Sequence, residues 1–172
     1  MRKLLGLFKS PPGNATQSLY AALVAQARDK HWYLEGRVPD DMDGRFALLS
    51  SLVALTILRL EEGGEEAVRG AVSLTEGFIA DMDAQMRELG FDTTIGKQVR
   101  GLVGALAARV DRWRRASEDG SDAAWRDATL FSVYRDAADL PEDVLTYAAE
   151  QMRRFAERVG GLDDAKLLKG AL

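Results

Sequence analysis

The feature that most constrains this fold is the run of residues 44–60, in which hydrophobic side chains fall on nearly every side of a helix. A helix that is apolar all round is buried in a protein core or in a membrane. Arg45 and Arg59 enclose only thirteen residues, which is too few to span a bilayer. The sequence therefore predicts a central helix that its neighbours cover and that ends at Gly63-Gly64.

Five further segments have helical hydrophobic spacing and can cover the central helix. They are residues 16–30, 65–89, 95 to about 118, 122–133 and 141–159. No segment alternates with the period of a strand. The sequence thus predicts an all-α fold, a single compact helical domain of about six helices around a buried central helix. We expect a basic segment at residues 1–15, the helical domain at 16–160 and a frayed C-terminal tail at 161–172.

The segment 65–89 carries two apolar stripes at helical spacing. The first consists of Val68, Val72, Thr75, Ile79, Met82 and Met86. The second consists of Ala67, Ala71, Leu74 and Phe78, and it continues to Asp81. Two stripes exceed what packing against one helix can bury, so we expect an apolar face to remain for a partner. Methionine is flexible and polarizable, which suits a surface that accepts varied apolar partners, although core filling explains Met82 and Met86 as simply.

Composition argues against most kinds of catalysis. The chain has no Cys and one His, which excludes thiolate metal sites and most arrangements that need several imidazoles. A formal charge of −4 gives no general electrostatic reason to bind DNA. We therefore expect a protein that is not an enzyme and that binds no cofactor and no metal. A small helical enzyme with carboxylate-bound magnesium stays open as an alternative that no motif favours.

The aspartates have structural roles in our interpretation. Asp40, Asp41 and Asp43 precede the central helix, whose N-terminus favours a cap and negative charge. Asp83 and Arg87 are spaced for an ion pair on an exposed helix face. Asp81 extends an apolar stripe and needs a partner if it is buried. We expect Arg45 to be that partner, in a pair that sets how the two helices cross. The residues Asp92, Thr93 and Thr94 offer caps for the helix that follows.

Basic residues are concentrated at the N-terminus, since residues 1–40 hold six Lys or Arg against three Asp or Glu. Within residues 1–9, the apolar side chains stand between Arg2-Lys3 and Lys9; they are Leu4, Leu5, Leu7 and Phe8. Such a segment is suited to lie in a membrane interface, but a terminus that packs on the domain or frays is the simpler reading. A second basic group begins with Lys97 and Arg100, for which a solvated helix face is the simpler reading.

Several blocks of sequence occur in a recognisable order: Leu19-Tyr20 with Arg28, Trp32-Tyr33, Val38-Pro39-Asp40-Asp41-Met42-Asp43-Gly44-Arg45-Phe46, Phe78-Ile79-Ala80-Asp81-Met82-Asp83, Arg87-Glu88-Leu89-Gly90 and Thr94-Ile95-Gly96-Lys97-Gln98-Val99. Together they resemble the ubiquinol–cytochrome c chaperone family, the assembly factors of the cytochrome bc complex of respiratory chains. The resemblance covers residues 16–160. Phe91 departs from it, because a small aliphatic residue is common there, so we expect that loop to differ in shape.

The resemblance implies a chaperone without catalytic activity that binds cytochrome b, either nascent or newly inserted. Mitochondrial members also work at the ribosome with a small partner protein, and nothing in this sequence supports either contact. Those members carry a long presequence, whereas about fifteen residues precede the domain here. We therefore expect a bacterial member that acts in the cytoplasm, peripheral to the inner membrane.

Residues and resemblance together predict a client groove between the central helix and the segment 65–89. The residues that we expect to contact client helices are Phe46, Leu49, Phe78, Met82 and Met86. Lys97 and Arg100 would meet polar client segments or phosphates. The residues that we expect to support the groove are Asp40, Asp43, Gly44, Arg45, Asp81, Asp83, Arg87 and Glu88. The alternative function is a lipid-binding helical protein that lies on the membrane surface through Leu4, Leu5, Leu7 and Phe8.

Overall fold

A computed structural model describes residues 16–90 and 95–172 of the chain. Within these ranges the protein is all-α, with eight helices and no strand. They are α1 (Gln17–Ala27), α2 (Lys30–Leu34), α3 (Met42–Glu61), α4 (Glu65–Glu88), α5 (Ile95–Asp119), α6 (Asp122–Ser132), α7 (Glu142–Gly160) and α8 (Asp164–Leu168). The predicted fold class is confirmed, and the helix count exceeds the expected six because α2 and α8 are too short to show a period. The residues predicted to contact a membrane (Leu4, Leu5, Leu7 and Phe8), the loop at Phe91 and the predicted caps at Asp92, Thr93 and Thr94 lie outside the described residues.

The predicted central helix is α3, which packs against α1, α4, α5, α6 and α7. Thirteen of its twenty residues are buried. Three of them are hydroxyl residues, and each donates to a carbonyl one turn earlier in α3: Ser50 to Phe46 (2.7 Å), Ser51 to Ala47 (2.8 Å) and Thr56 to Leu52 (2.8 Å). The buried hydroxyls of the central helix are therefore satisfied within the helix, which leaves its buried surface free for apolar packing.

The start of α3 explains the acidic run before it. Asp41 is the N-cap, and its Oδ1 accepts a hydrogen bond from the backbone N–H of Gly44 at 2.8 Å. Gly44 lies against the preceding loop, where a Cβ would overlap the carbonyl of Pro39. A side chain at this position would push the loop off the helix, so the glycine is required by close approach.

The C-terminal residues do not form the frayed tail that we expected. They form α8, which packs against α1 and α4 and buries Leu167 completely. The carboxylate of Asp164 accepts from the backbone N–H of Gly64 (2.8 Å) and pairs with Arg59 of α3 (2.9 Å). The packed structure therefore continues beyond residue 160, and α8 closes one end of the helical core.

No helix among residues 16–90 and 95–172 is both long and apolar enough to cross a bilayer. This agrees with the argument that Arg45 and Arg59 confine the apolar run of α3 to a length below a membrane span.

Candidate functional site: the α4–α5 surface

The two apolar stripes of α4 have different environments. In the stripe that ends at Asp81, Ala67, Ala71, Leu74 and Phe78 are all buried. The stripe that ends at Met86 lies at the edge of the core. Its Val68 and Val72 are exposed, Val72 to 56%, while Ile79 and Met86 are half-buried. The fold therefore covers one stripe of α4 and leaves the first part of the other, at Val68 and Val72, exposed to solvent.

The predicted client-contact residues are divided between core and surface. Leu49 and Phe78 are fully buried and Met82 is only 6% exposed. Phe46 and Met86 are half-buried, and the rings of Phe46 and Phe78 lie 5.8 Å apart. Leu49, Phe78 and Met82 therefore serve as core residues in this conformation, because α3 and α4 pack directly against each other where we expected a groove.

The expected pair between Arg45 and Asp81 is wrong. Asp81 is buried, and its Oδ2 accepts from the hydroxyl of Tyr20 on α1 (2.7 Å) and from Nε2 of Gln85 (2.9 Å). Arg45 pairs instead with Asp40, at 2.6 Å. Asp81 thus connects α4 to α1 through neutral donors, and burial raises the pKa of its carboxyl while the two hydrogen bonds oppose the rise.

We expect Asp81→Asn to remove a pH dependence from the stability of the protein. Because the folded pKa of Asp81 is raised, the folded protein holds this proton more tightly than the unfolded chain. The wild type therefore loses stability as the pH rises from about 4, the pKa of an aspartate in the unfolded chain, through the raised pKa of the folded state. Asparagine keeps an acceptor for Tyr20 and cannot ionise.

The measurement is urea unfolding of both proteins from pH 4 to pH 8. The free energy of unfolding of Asp81→Asn should rise relative to that of the wild type as the pH increases, and then level off. A difference that falls with pH would contradict the raised pKa.

Three of the remaining predicted support residues form ion pairs, one between distant parts of the chain and one within α4. Asp43 pairs with Arg135 at 2.8 Å, and Asp83 pairs with Arg87 at 2.7 Å. The second pair confirms the expected i,i+4 contact, while Glu88 is exposed at the end of α4. Within the described ranges, no group of three or more His, Asp or Glu side chains could hold a metal ion.

Arg109 is a buried residue whose role sequence reasoning missed. Its guanidinium donates to the carbonyls of Ser132 (3.0 Å) and Ala105 (3.1 Å) and lies 5.5 Å from the ring centre of Phe46. Burial, with the nearby charge of Arg135, lowers its pKa to about 10. Arg109 thus binds the end of α6 to α5. Its place in the sequence, three residues beyond Leu106 and four before Trp113 on the apolar face, was the available signal.

The outward face of α5 is formed by small and basic residues. Lys97 and Arg100 are exposed, and neither forms an ion pair with a described residue. At Gly101 and Gly104 an added Cβ would meet no atom within 4 Å, and Val103 is exposed beside them. Glycine inside a helix costs about 1 kcal/mol relative to alanine, and no contact among the described residues requires it at these two positions.

Three comparisons bear on this fold and surface. A family model described as Ubiquinol-cytochrome C chaperone matches residues 34–172. The crystal structure of the Cbp3 homolog from Brucella abortus is similar, with a TM-score of 0.80 and 24% identity over 92% of this chain and 87% of that chain. A comparison with curated proteins gives no match. The structural likeness supports the fold, and the family match covers the helices from α3 to α8.

Proposed function

The chain belongs to the ubiquinol–cytochrome c chaperone family, and from that premise we propose that it binds cytochrome b and promotes assembly of the ubiquinol–cytochrome c reductase complex. The role is that of an assembly chaperone and requires no catalytic group. The observation that carries the proposal is the exposed part of the second α4 stripe, at Val68 and Val72. An apolar surface that the fold leaves exposed can hold the hydrophobic segments of a membrane protein.

The proposed client surface differs from the groove that we expected. It keeps Phe46 and Met86, which reach solvent, and it adds the exposed Val68, Val72 and Val103. Lys97 and Arg100 lie on α5, the next helix along the chain, and suit polar or anionic groups of the client. Buried Leu49, Phe78 and Met82 support this surface from behind. The other residues expected to support the groove belong to the start of α3 and the loop before it (Asp40, Asp43, Gly44 and Arg45) and to α4 (Asp81, Asp83 and Arg87).

A charge on the uncovered stripe should impair assembly without unfolding the protein. In the source organism, we expect Val72→Asp to lower membrane-bound cytochrome b by at least about twofold, because an unpaired carboxylate would be desolvated against the client. Val72 is more than half exposed, so the free energy of unfolding should change by no more than about 0.5 kcal/mol. Difference spectra and blotting for cytochrome b provide the measurement, with a deletion strain as the reference.

Leu34→Asp is the matched control, since Leu34 is 69% exposed and lies on α2 rather than α4. This variant should retain normal cytochrome b. Normal cytochrome b in the Val72→Asp strain would remove the stripe from the client surface. Normal cytochrome b in the deletion strain would exclude the assembly role itself and favour the lipid-binding alternative.

A location peripheral to the inner membrane is part of the proposal. Its support is the sequence of residues 1–9, in which basic residues flank Leu4, Leu5, Leu7 and Phe8. A client that is a membrane protein also requires the chaperone to work at that surface. The lipid-binding role would use the same segment. The level of membrane-bound cytochrome b therefore distinguishes the two functions, because only an assembly role makes that level depend on the protein.

A further inference from the structure

Two valines near the start of α4 form an apolar patch that the fold leaves exposed. Val68 is 42% exposed and Val72 is 56% exposed. Because they are four residues apart, they stand one turn from each other on the same face of the helix. The other large hydrophobic side chains exposed in the described ranges belong to separate elements; they are Leu34, Leu89 and Val103. The valine pair is therefore the apolar surface that most needs an occupant.

The described part of the chain begins beside this part of α4. Thr16 is buried, and its Cγ2 lies 3.8 Å from the point where a Cβ would stand on Gly70. Gly70 lies midway in the sequence between Val68 and Val72, so Thr16 stands at about the same height along the helix axis. At about 100° per residue, Gly70 and Val72 lie about 160° apart around α4. Residues 1–15 therefore join the described chain on the flank of α4 opposite to the patch.

The preceding residues are long enough to cross α4 and reach the patch. A helix with its side chains is about 10–12 Å wide, so the path round its outward side from Gly70 to Val72 measures about 15–20 Å. The seven residues 9–15 can extend over at most ~23–25 Å. The apolar residues of the segment 4–8 can therefore be placed over the patch.

The charges on the two surfaces are complementary. Residues 1–15 contain three basic residues and no acidic residue. The outward side of α4, which the segment would cross, carries Glu66 and Glu76, both exposed and neither in an ion pair with a described residue, while Arg69 there is paired with Glu65. A second copy of this chain would bring the same glutamates against its own across a twofold interface, and an anionic membrane would repel them. The charges therefore favour the chain's own basic segment as the occupant.

We propose that residues 4–8 cover Val68 and Val72 in the free protein. The basic residues that flank this segment lie against Glu66 and Glu76. A short tether gives a linked segment an effective concentration in the millimolar range, so a weak contact is enough to cover the patch, and a client can displace it. The contact itself needs no client, whereas its regulation of the client surface rests on the proposed function.

The test is photo-crosslinking in the full chain, which has no cysteine of its own. Gly6→Cys places a benzophenone, attached through maleimide, within the apolar segment and keeps all its apolar side chains. After irradiation and trypsin digestion, mass spectrometry locates the crosslinked residues. We expect them to fall within residues 65–76 of α4, on a protein that runs as a monomer on a denaturing gel.

Two further changes in the Gly6→Cys protein test the contact itself. Val72→Asp should lower the crosslink yield at least about fivefold, because the segment would desolvate an unpaired carboxylate. Glu76→Lys, at an exposed position, should lower it about threefold, because it repels the basic residues of the segment. Leu34→Asp is the matched control and should leave the yield unchanged, since Leu34 is an equally accessible apolar side chain on α2.

Three results would overturn the inference. Crosslinks that fall outside α4 would give the segment another position. A yield that Val72→Asp and Glu76→Lys leave unchanged would show that neither the patch nor the charge holds the segment. Crosslinks between two chains, seen as a dimer on the gel, would make a second copy the occupant. Each result is obtained without a client, so it is distinct from a failure of the proposed function, which the deletion strain detects.

Discussion

Replacing Phe78 by alanine is expected to lower the free energy of unfolding by about 3–5 kcal/mol. Phe78 is fully buried on α4, and its ring packs against Phe46 of α3. Truncation removes that contact and leaves a cavity between the two helices that the rest of the core closes only in part. Small domains are stable by about 5–15 kcal/mol in total, so this one change removes a large share of the stability. Urea unfolding followed by circular dichroism measures it.

Phe46→Ala is the appropriate comparison, because its half-buried ring is the other member of the same pair. We expect a smaller loss of about 1–2 kcal/mol, together with weaker client binding if Phe46 belongs to the client surface. Equal losses for the two variants would mean that Phe78 is less enclosed than the structure has it. The comparison also separates the core role of Phe78 from the client contact expected from the sequence.

Leu167→Ala is expected to cost about 2–5 kcal/mol, although it lies in a helix of only five residues. Leu167 is fully buried where α8 packs on α1 and α4. The bonds of Asp164 to Gly64 and Arg59 hold the same helix in place. Loss of Leu167 packing should therefore loosen α8 as a unit. Hydrogen exchange of the α8 amides and urea unfolding would both report it.

Leu34→Ala is the control for this change, since it removes the same atoms from a mostly exposed site. We expect its effect to stay within about 0.5 kcal/mol. A similarly small effect for Leu167→Ala would mean that α8 contributes little to the fold and that the expected frayed tail describes it better.

Local sequence patterns predicted the helices and their faces but not which face meets which neighbour. The all-round apolar run identified α3, because such a helix needs cover on every side. The two stripes of α4 were both visible, yet periodicity gives no information on which stripe α3 and α1 cover. Asp81 illustrates the limit, since its partner Tyr20 lies 61 residues away on α1. We expected a charged partner, Arg45, but the neutral hydroxyl of Tyr20 and the amide of Gln85 satisfy the carboxylate instead.

The candidate site shows the same division between local and tertiary information. The ion pair of Asp83 with Arg87 followed from i,i+4 spacing alone. By contrast, Nε2 of Gln98 on α5 is buried without a hydrogen-bond partner among the described residues. That burial depends on how α5 packs, and the spacing of residues along the sequence does not report it. Short helices such as α2 and α8 have no measurable period, so only their caps, Asp29 and Asp163, marked them in the sequence.

The open space at Gly104 has a practical consequence for labelling. The 172-residue sequence contains no cysteine, so Gly104→Cys would introduce a single thiol on the outward face of α5. Its Cβ would meet no atom within 4 Å, which means that a fluorophore or photo-crosslinker could be attached there without displacing a neighbour. Such a probe stands two turns along α5 from Lys97. Its fluorescence, or the mass of the adduct that it forms, would identify the molecule that approaches this face.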